Sequence, residues 1–115
     1  MSALDLLLED IRRWHRETIA PNVDIHGSWA KVQEEFHELA EAVEALDESD
    51  MYILEDRSMR DLFAARRKEL ADLFITLLCY ADFAEVNLQR AVAEVHQQNV
   101  DRVWSKREDG SMHHD

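Results

Sequence analysis

The chain has little that bends or staples a backbone: 2 glycines, 1 proline and 1 cysteine in 115 residues. Strands joined by tight turns draw on Gly, Asn and β-branched residues. Their scarcity beside abundant Ala, Leu, Glu and Arg argues against a sheet-based design and leaves long helices. A single cysteine excludes a disulfide framework, and Cys79 sits in an apolar helical run, where it reads as a small buried hydrophobe. Positive charge is also short. Lys and Arg total 13 against 25 Asp and Glu, a formal net charge of −12, and no stretch gathers basic residues with aromatics. Polymeric DNA or RNA is therefore excluded as an expected partner. No apolar run reaches the roughly 18 residues of a membrane span. The N-terminus is acidic as well as apolar, unlike a signal peptide, so a cytoplasmic protein with no membrane partner is expected.

What is present is helical periodicity. Ser2 with Asp5 forms a capping-box pattern, and Leu4, Leu7, Leu8, Ile11 and Trp14 recur at helical spacing until Pro21, which predicts a first helix from Ala3 to Ile19. The stretch from Pro21 to Ser28 reads as a loop, with Ser28 as cap and a second helix from Trp29. Trp29, Val32, Phe36, Leu39, Val43 and Leu46 then form a seam expected to face other helices. Asp47 to Asp50 reads as a polar break, and Met51 to Arg57 as a short helical turn.

Ser58 and Asp61 repeat the capping-box pattern before a third helix from Met59 to about Ala84. Between Leu70 and Ala84 that helix is apolar nearly all round, interrupted mainly by Asp72, Thr76 and Asp82, and it is expected to be the central, buried one. Asn87 caps a fourth helix with Leu88, Val92, Val95, Asn99 and Val103 on one stripe, ending near Trp104 or Lys106. The expectation is an all-α, four-helix-bundle-like single domain over residues 1–106, followed by a disordered polar tail, 107–115. Apolar surface at Trp29, Phe63, Phe74 and Phe83 exceeds what one protomer would cover, so a homo-oligomer is expected.

Two carboxylate pairs stand out. Glu35 and Glu38 share one edge of the second helix at i, i+3, and Glu69 and Asp72 repeat that spacing at the head of the apolar third helix. A solvated acidic face explains Glu34, Glu41 and Glu44. It does not explain Asp72, which the apolar surroundings predict to be buried and in need of a cation or of a pairing with Arg66 or Arg67. Two neighbouring helices that oppose these pairs offer four hard oxygen donors, a set suited to Mg²⁺ or Mn²⁺. Iron is disfavoured, since Glu34 with His37 gives only one Glu-x-x-His pair. Trp14, at the apolar spacing of the first helix, is read as core. Lys31, four residues before Glu35, suits either that glutamate or a phosphate. Asn99 in an apolar stripe and Arg102 one turn on suit a ligand, or else backbone and surface pairing.

Glu34-Glu35-Phe36-His37-Glu38-Leu39-Ala40-Glu41-Ala42 followed by Glu69-Leu70-Ala71-Asp72-Leu73 resembles the EExxE…ExxD signature of the MazG-like, all-α nucleoside triphosphate pyrophosphohydrolases. Glu94-Val95-His96-Gln97-Gln98-Asn99 resembles the last-helix segment of that family, and Leu8 to His15 is similar to the opening helix of its dCTP pyrophosphatase branch. The gap between Glu38 and Glu69 is long for the pattern, and Arg102 stands where Lys is common. The resemblance implies magnesium-dependent cleavage of nucleoside triphosphates to monophosphate and pyrophosphate, a nucleotide-pool cleansing role, and a dimer or tetramer. It further implies that Glu35, Glu38, Glu69 and Asp72 hold the ions, and that His15, Lys31, Asn99 and Arg102 bind substrate. Related activities on phosphoribosyl-ATP or dUTP, and a non-catalytic helical binding module, are the alternatives.

Overall fold

A computed structural model of the protein describes residues 1–49 and 56–114. The chain divides into two compact units, Met1–Glu85 and Val86–Asp115, and each is described by itself. In the first, α1 (Ala3–Trp14) starts on the expected capping box: Ser2 Oγ accepts the Asp5 amide at 3.1 Å, and Asp5 Oδ2 accepts the Ser2 amide at 3.1 Å. The helix then widens into one π-helical turn, His15–Ile19, closed by the Ala20 amide donating to the His15 carbonyl at 2.8 Å. Such turns insert one residue and commonly mark functional positions.

Helix α2 (Ile25–Ser49) begins earlier than the sequence predicts. Asp24, not Ser28, caps it: Asp24 Oδ1 accepts the Gly27 amide at 2.9 Å, and the Asp24 carbonyl accepts the Ser28 amide at 3.0 Å. Either residue type can cap, and here the Asp24 carboxylate takes the orphan amide. Ser28 is thereby a buried helical residue. Asp47 and Glu48 continue the helix instead of breaking it, and the expected turn at Met51 falls largely outside the described residues. Helix α3 (Asp56–Phe83) takes in Ser58, which is therefore not its cap.

Helices α2 and α3 form the principal packed pair, and α1 lies against α3. Among the described residues the buried apolar side chains are few: Leu8, Val32, Leu46, Leu78, Cys79 and Ala81. The predicted seam of α2 is buried only in part, since Val32 and Leu46 face inward while Phe36 is 62% exposed and Trp29 lies half outside. Likewise α3 is not buried all round, with Leu70 and Phe74 half exposed. No helix among the described residues is long and apolar enough to cross a membrane.

The second unit opens with α4 (Leu88–Asp101), capped as expected by Asn87, whose Oδ1 accepts the Arg90 amide at 3.1 Å. The helix stops at Asp101, and the following segment is structured rather than a disordered tail. Strand β1 (Trp104–Lys106) pairs antiparallel with β2 (Met112–His114), Trp104 opposite His114 and Lys106 opposite Met112. Gly110 takes the positive φ of 90° that the turn demands, and Asp109 Oδ1 accepts from the amide and hydroxyl of Ser111 at 2.9 and 2.6 Å. Trp104 Nε1 donates to the Asn99 carbonyl at 2.7 Å, tying the hairpin to the helix end.

Candidate metal centre and adjoining cavity

The i, i+3 spacing puts Glu35 and Glu38 on one edge of α2, and Glu69 and Asp72 on one edge of α3, and the pairing of these helices brings the edges together. One oxygen each from Glu35, Glu69 and Asp72 lies within 4.8 Å of the others. Glu38 joins them: burial, then the adjacent Glu35 and Glu69 carboxylates, push its carboxyl above the ordinary range.

Two ammonium groups relieve part of this. Lys31 Nζ stands 3.1 Å from Glu35 and 3.4 Å from Glu34, and Lys68 Nζ stands 2.7 Å from Asp72 and 3.6 Å from Glu69. Both lysines are held above their ordinary values by these hydrogen bonds, to Glu35 and Asp72 foremost. Lys68 thus takes the place expected of Arg66 or Arg67. The relief is incomplete, because the buried oxygens Glu35 Oε2 and Glu69 Oε2 have no hydrogen-bond partner. The burial expected of Asp72 belongs instead to Glu35, which is 6% exposed, whereas the Asp72 side chain is 35% exposed. Unpartnered carboxylate oxygens converging from two helices are a donor set for hard divalent cations such as Mg²⁺ or Mn²⁺.

Beside this edge lies a cavity of ≈ 330 Å³ lined by Trp14, His15, Ile19, Val23, Gly27, Ser28, Lys31, Ile75, Thr76 and Cys79. Lys31 belongs to both places, reaching Glu35 from the cavity wall. Trp14 is a lining residue, 47% exposed, and not the core residue expected. His15 is 1% exposed. Its Nδ1 is 3.3 Å from Asp82 Oδ2, its ring meets Phe83 edge-on at 4.8 Å, and its Nε2 is buried with no partner. Asp82 in turn accepts from Arg16 Nε at 3.1 Å and Nη2 at 2.6 Å. The guanidinium foremost, then His15, holds the Asp82 carboxyl below its ordinary value against the opposing effect of burial. Burial keeps the Cys79 thiol above its usual value, so it lines the cavity as an apolar group.

Sequence reasoning missed Asp82, Ser28 and Thr76 as members of this neighbourhood. The available signal was the spacing of Asp72, Thr76, Cys79 and Asp82, which shares one face of α3. Asn99 and Arg102 lie in the second unit. Asn99 lines a shallow groove there with Leu88, Ala91, Val92, Val95 and His96, and Arg102 terminates α4.

The family described as the MazG nucleotide pyrophosphohydrolase domain matches residues 26–109. The chain belongs to that family. It is by class a nucleoside triphosphate pyrophosphohydrolase on an all-α MazG-like fold. Among solved structures, it is similar to one described as cyanophage S-2L MazG-like pyrophosphohydrolase bound to dGDP and three catalytic Mn²⁺ ions per active site. The identity is 23% and the TM-score 0.62, with 100% of this chain and 99% of that chain covered. None of the curated proteins matches it.

Proposed function

We propose that this MazG-family chain hydrolyses nucleoside or deoxynucleoside triphosphates to the monophosphate and pyrophosphate in a Mg²⁺-dependent reaction, with Mn²⁺ able to substitute. Glu35, Glu38, Glu69 and Asp72 hold the ions. The observation that carries this reading is the meeting of Glu35, Glu69 and Asp72 oxygens within 4.8 Å, two of these residues having buried, unpartnered oxygens. When bound, divalent ions supply the positive charge that ties phosphate oxygens to the acidic edge and offsets charge developing at the scissile bond.

The chain's own groups do the rest. Lys31, at the join between carboxylates and cavity, meets a phosphate next to the sugar. Glu38, whose carboxyl favours its proton more than an ordinary glutamate does, orients the attacking water and receives its proton. Trp14, Ile19, Val23 and Ile75 enclose the base and exclude water, and His15 supplies the cavity with a polar contact. The half-exposed Trp29, Phe36, Phe63 and Phe74 support a homo-oligomer, dimer or tetramer, in solution.

The test is phosphorus NMR of a panel of common nucleoside and deoxynucleoside triphosphates, incubated with the protein and either Mg²⁺ or a chelator. The expected products are monophosphate and pyrophosphate with Mg²⁺ alone. Intact triphosphates throughout, or release of orthophosphate and diphosphate, would overturn the reading.

A further inference from the structure

The two lysines at the carboxylate edge are not equivalent. Lys31 divides its ammonium between Glu35, which belongs to the converging set, and Glu34, which does not, at 3.1 and 3.4 Å. Both ion pairs of Lys68 are to members of that set. Its Nζ donates to Asp72 Oδ2 at 2.7 Å and stands 3.6 Å from Glu69 Oε1. A monovalent cation carried by the chain itself thus engages two of the three carboxylates whose oxygens converge.

The oxygens of the edge therefore fall into two kinds. Glu35 Oε2 and Glu69 Oε2 are buried with no partner, and an ion that reaches them displaces no protein group. Asp72 Oδ2 and Glu69 Oε1 face the ammonium, and an ion that takes them must first expel it. The ammonium is free to leave. The Lys68 side chain is 69% exposed, so water solvates it once released. Lysine four residues before an acid is also the less favourable order along a helix, so local geometry adds little to the pair. Exposed ion pairs of this kind contribute up to about fivefold to an equilibrium constant. A divalent ion at the same oxygens carries twice the charge and prevails once its concentration is high enough.

We propose that Lys68 is a resident counter-ion of the metal centre, one that must be displaced before the centre fills. Cations then load in two steps, at the unpartnered oxygens of Glu35 and Glu69 first and at Asp72 last. Full occupancy, unlike the first step, is set by competition with a group of the chain itself. The proposal rests on the reading of this edge as a divalent-cation site.

The experiment titrates Mn²⁺ into the full chain as wild type, Lys68→Gln and Lys68→Arg, with free ion read by electron paramagnetic resonance. Circular dichroism in chelator establishes that each variant is folded. Wild type binds in two steps of unequal affinity. Lys68→Gln removes the competitor and tightens the second step on the order of tenfold, with the first changed by less than about threefold. Lys68→Arg keeps the charge at the edge and keeps the two steps apart.

Nitrogen-15 NMR of the lysine ammonium groups follows the displaced group itself, with Mg²⁺ as the diamagnetic ion and the signal missing from Lys68→Arg assigned to Lys68. That signal holds its place through the first step and moves to the position of a solvated lysine through the second. A Lys68 signal that never moves overturns the proposal, as does a second step that Lys68→Gln leaves unchanged or weakens. Wild type that binds no divalent ion would bring down the metal-centre reading together with the proposal. Wild type and Lys68→Gln that bind Mn²⁺ alike would remove only the role given to Lys68.

Discussion

The carboxylate edge and the cavity beside it are built from the same helices, yet they treat polar groups in opposite ways. At the edge, three carboxylates meet within 4.8 Å with Glu38 beside two of them and two lysines alongside, leaving excess negative charge and two bare oxygens. In the cavity wall a single buried histidine is oriented by a carboxylate that is itself matched by a guanidinium, and its other nitrogen is buried without a partner. The edge is a site whose folded form is strained by charge until a cation arrives. The cavity is already assembled, with its ion pair complete. Stability and function should therefore trade against each other at the edge and run together in the cavity.

The comparison breaks most visibly on activity. Glu69→Gln keeps the shape of the edge but removes a charge that faces the ions, and steady-state assays should record a rate loss on the order of a thousandfold with helical circular dichroism retained. A loss of less than tenfold would remove Glu69 from the site. Next in size is the thin core that both regions share. Leu78 is among the most buried apolar residues, and Leu78→Ala should cost about 2–5 kcal/mol in denaturant unfolding.

Charge removal at the edge should have the opposite sign in stability. Because burial, Glu35 and Glu69 raise the Glu38 carboxyl above its ordinary value, its stabilising contribution is present below the unfolded pKa and is lost as pH rises through the folded one. In a chelator at neutral pH, Glu38→Gln should accordingly melt higher than wild type, and Mn²⁺ should raise its melting temperature less. In the cavity the sign reverses. Asp82 is held below its ordinary value by Arg16 and then His15, so its contribution is present above the unfolded pKa and fades as pH falls through the folded one. Asp82→Asn should be less stable than wild type at neutral pH, and the gap should close in acid.

The smallest expected effect lies after α3, where Glu85 adopts a φ of 56°, a conformation costly for a residue with a side chain. Glu85→Gly should be neutral to stabilising by up to about 1 kcal/mol in thermal unfolding.

How far each region was legible in the sequence follows the same division. Glu35, Glu38, Glu69 and Asp72 declare themselves by i, i+3 spacing, because local helix geometry alone decides which side chains share an edge. Which of them is buried depends on the facing helix, and that is why the burial expected at Asp72 falls on Glu35. His15 and Asp82 are 67 residues apart, and no periodicity links them. Trp14 follows the apolar spacing of a core residue yet lines an opening, since periodicity reports a face and not what covers it. The helix start at Asp24 and the hairpin at Asp109-Gly110 were open to a closer reading of side-chain caps and turn residues.

The central claim is that the acidic side chains of α2 and α3 share a divalent cation. Electron paramagnetic resonance of Mn²⁺ titrated into the protein measures this directly, because bound ion loses the sharp signal of the free ion. Wild type should bind Mn²⁺ stoichiometrically at micromolar concentrations, with Glu35→Gln and Glu69→Gln each weakening binding on the order of tenfold or more. Binding left unchanged by both substitutions would contradict the account.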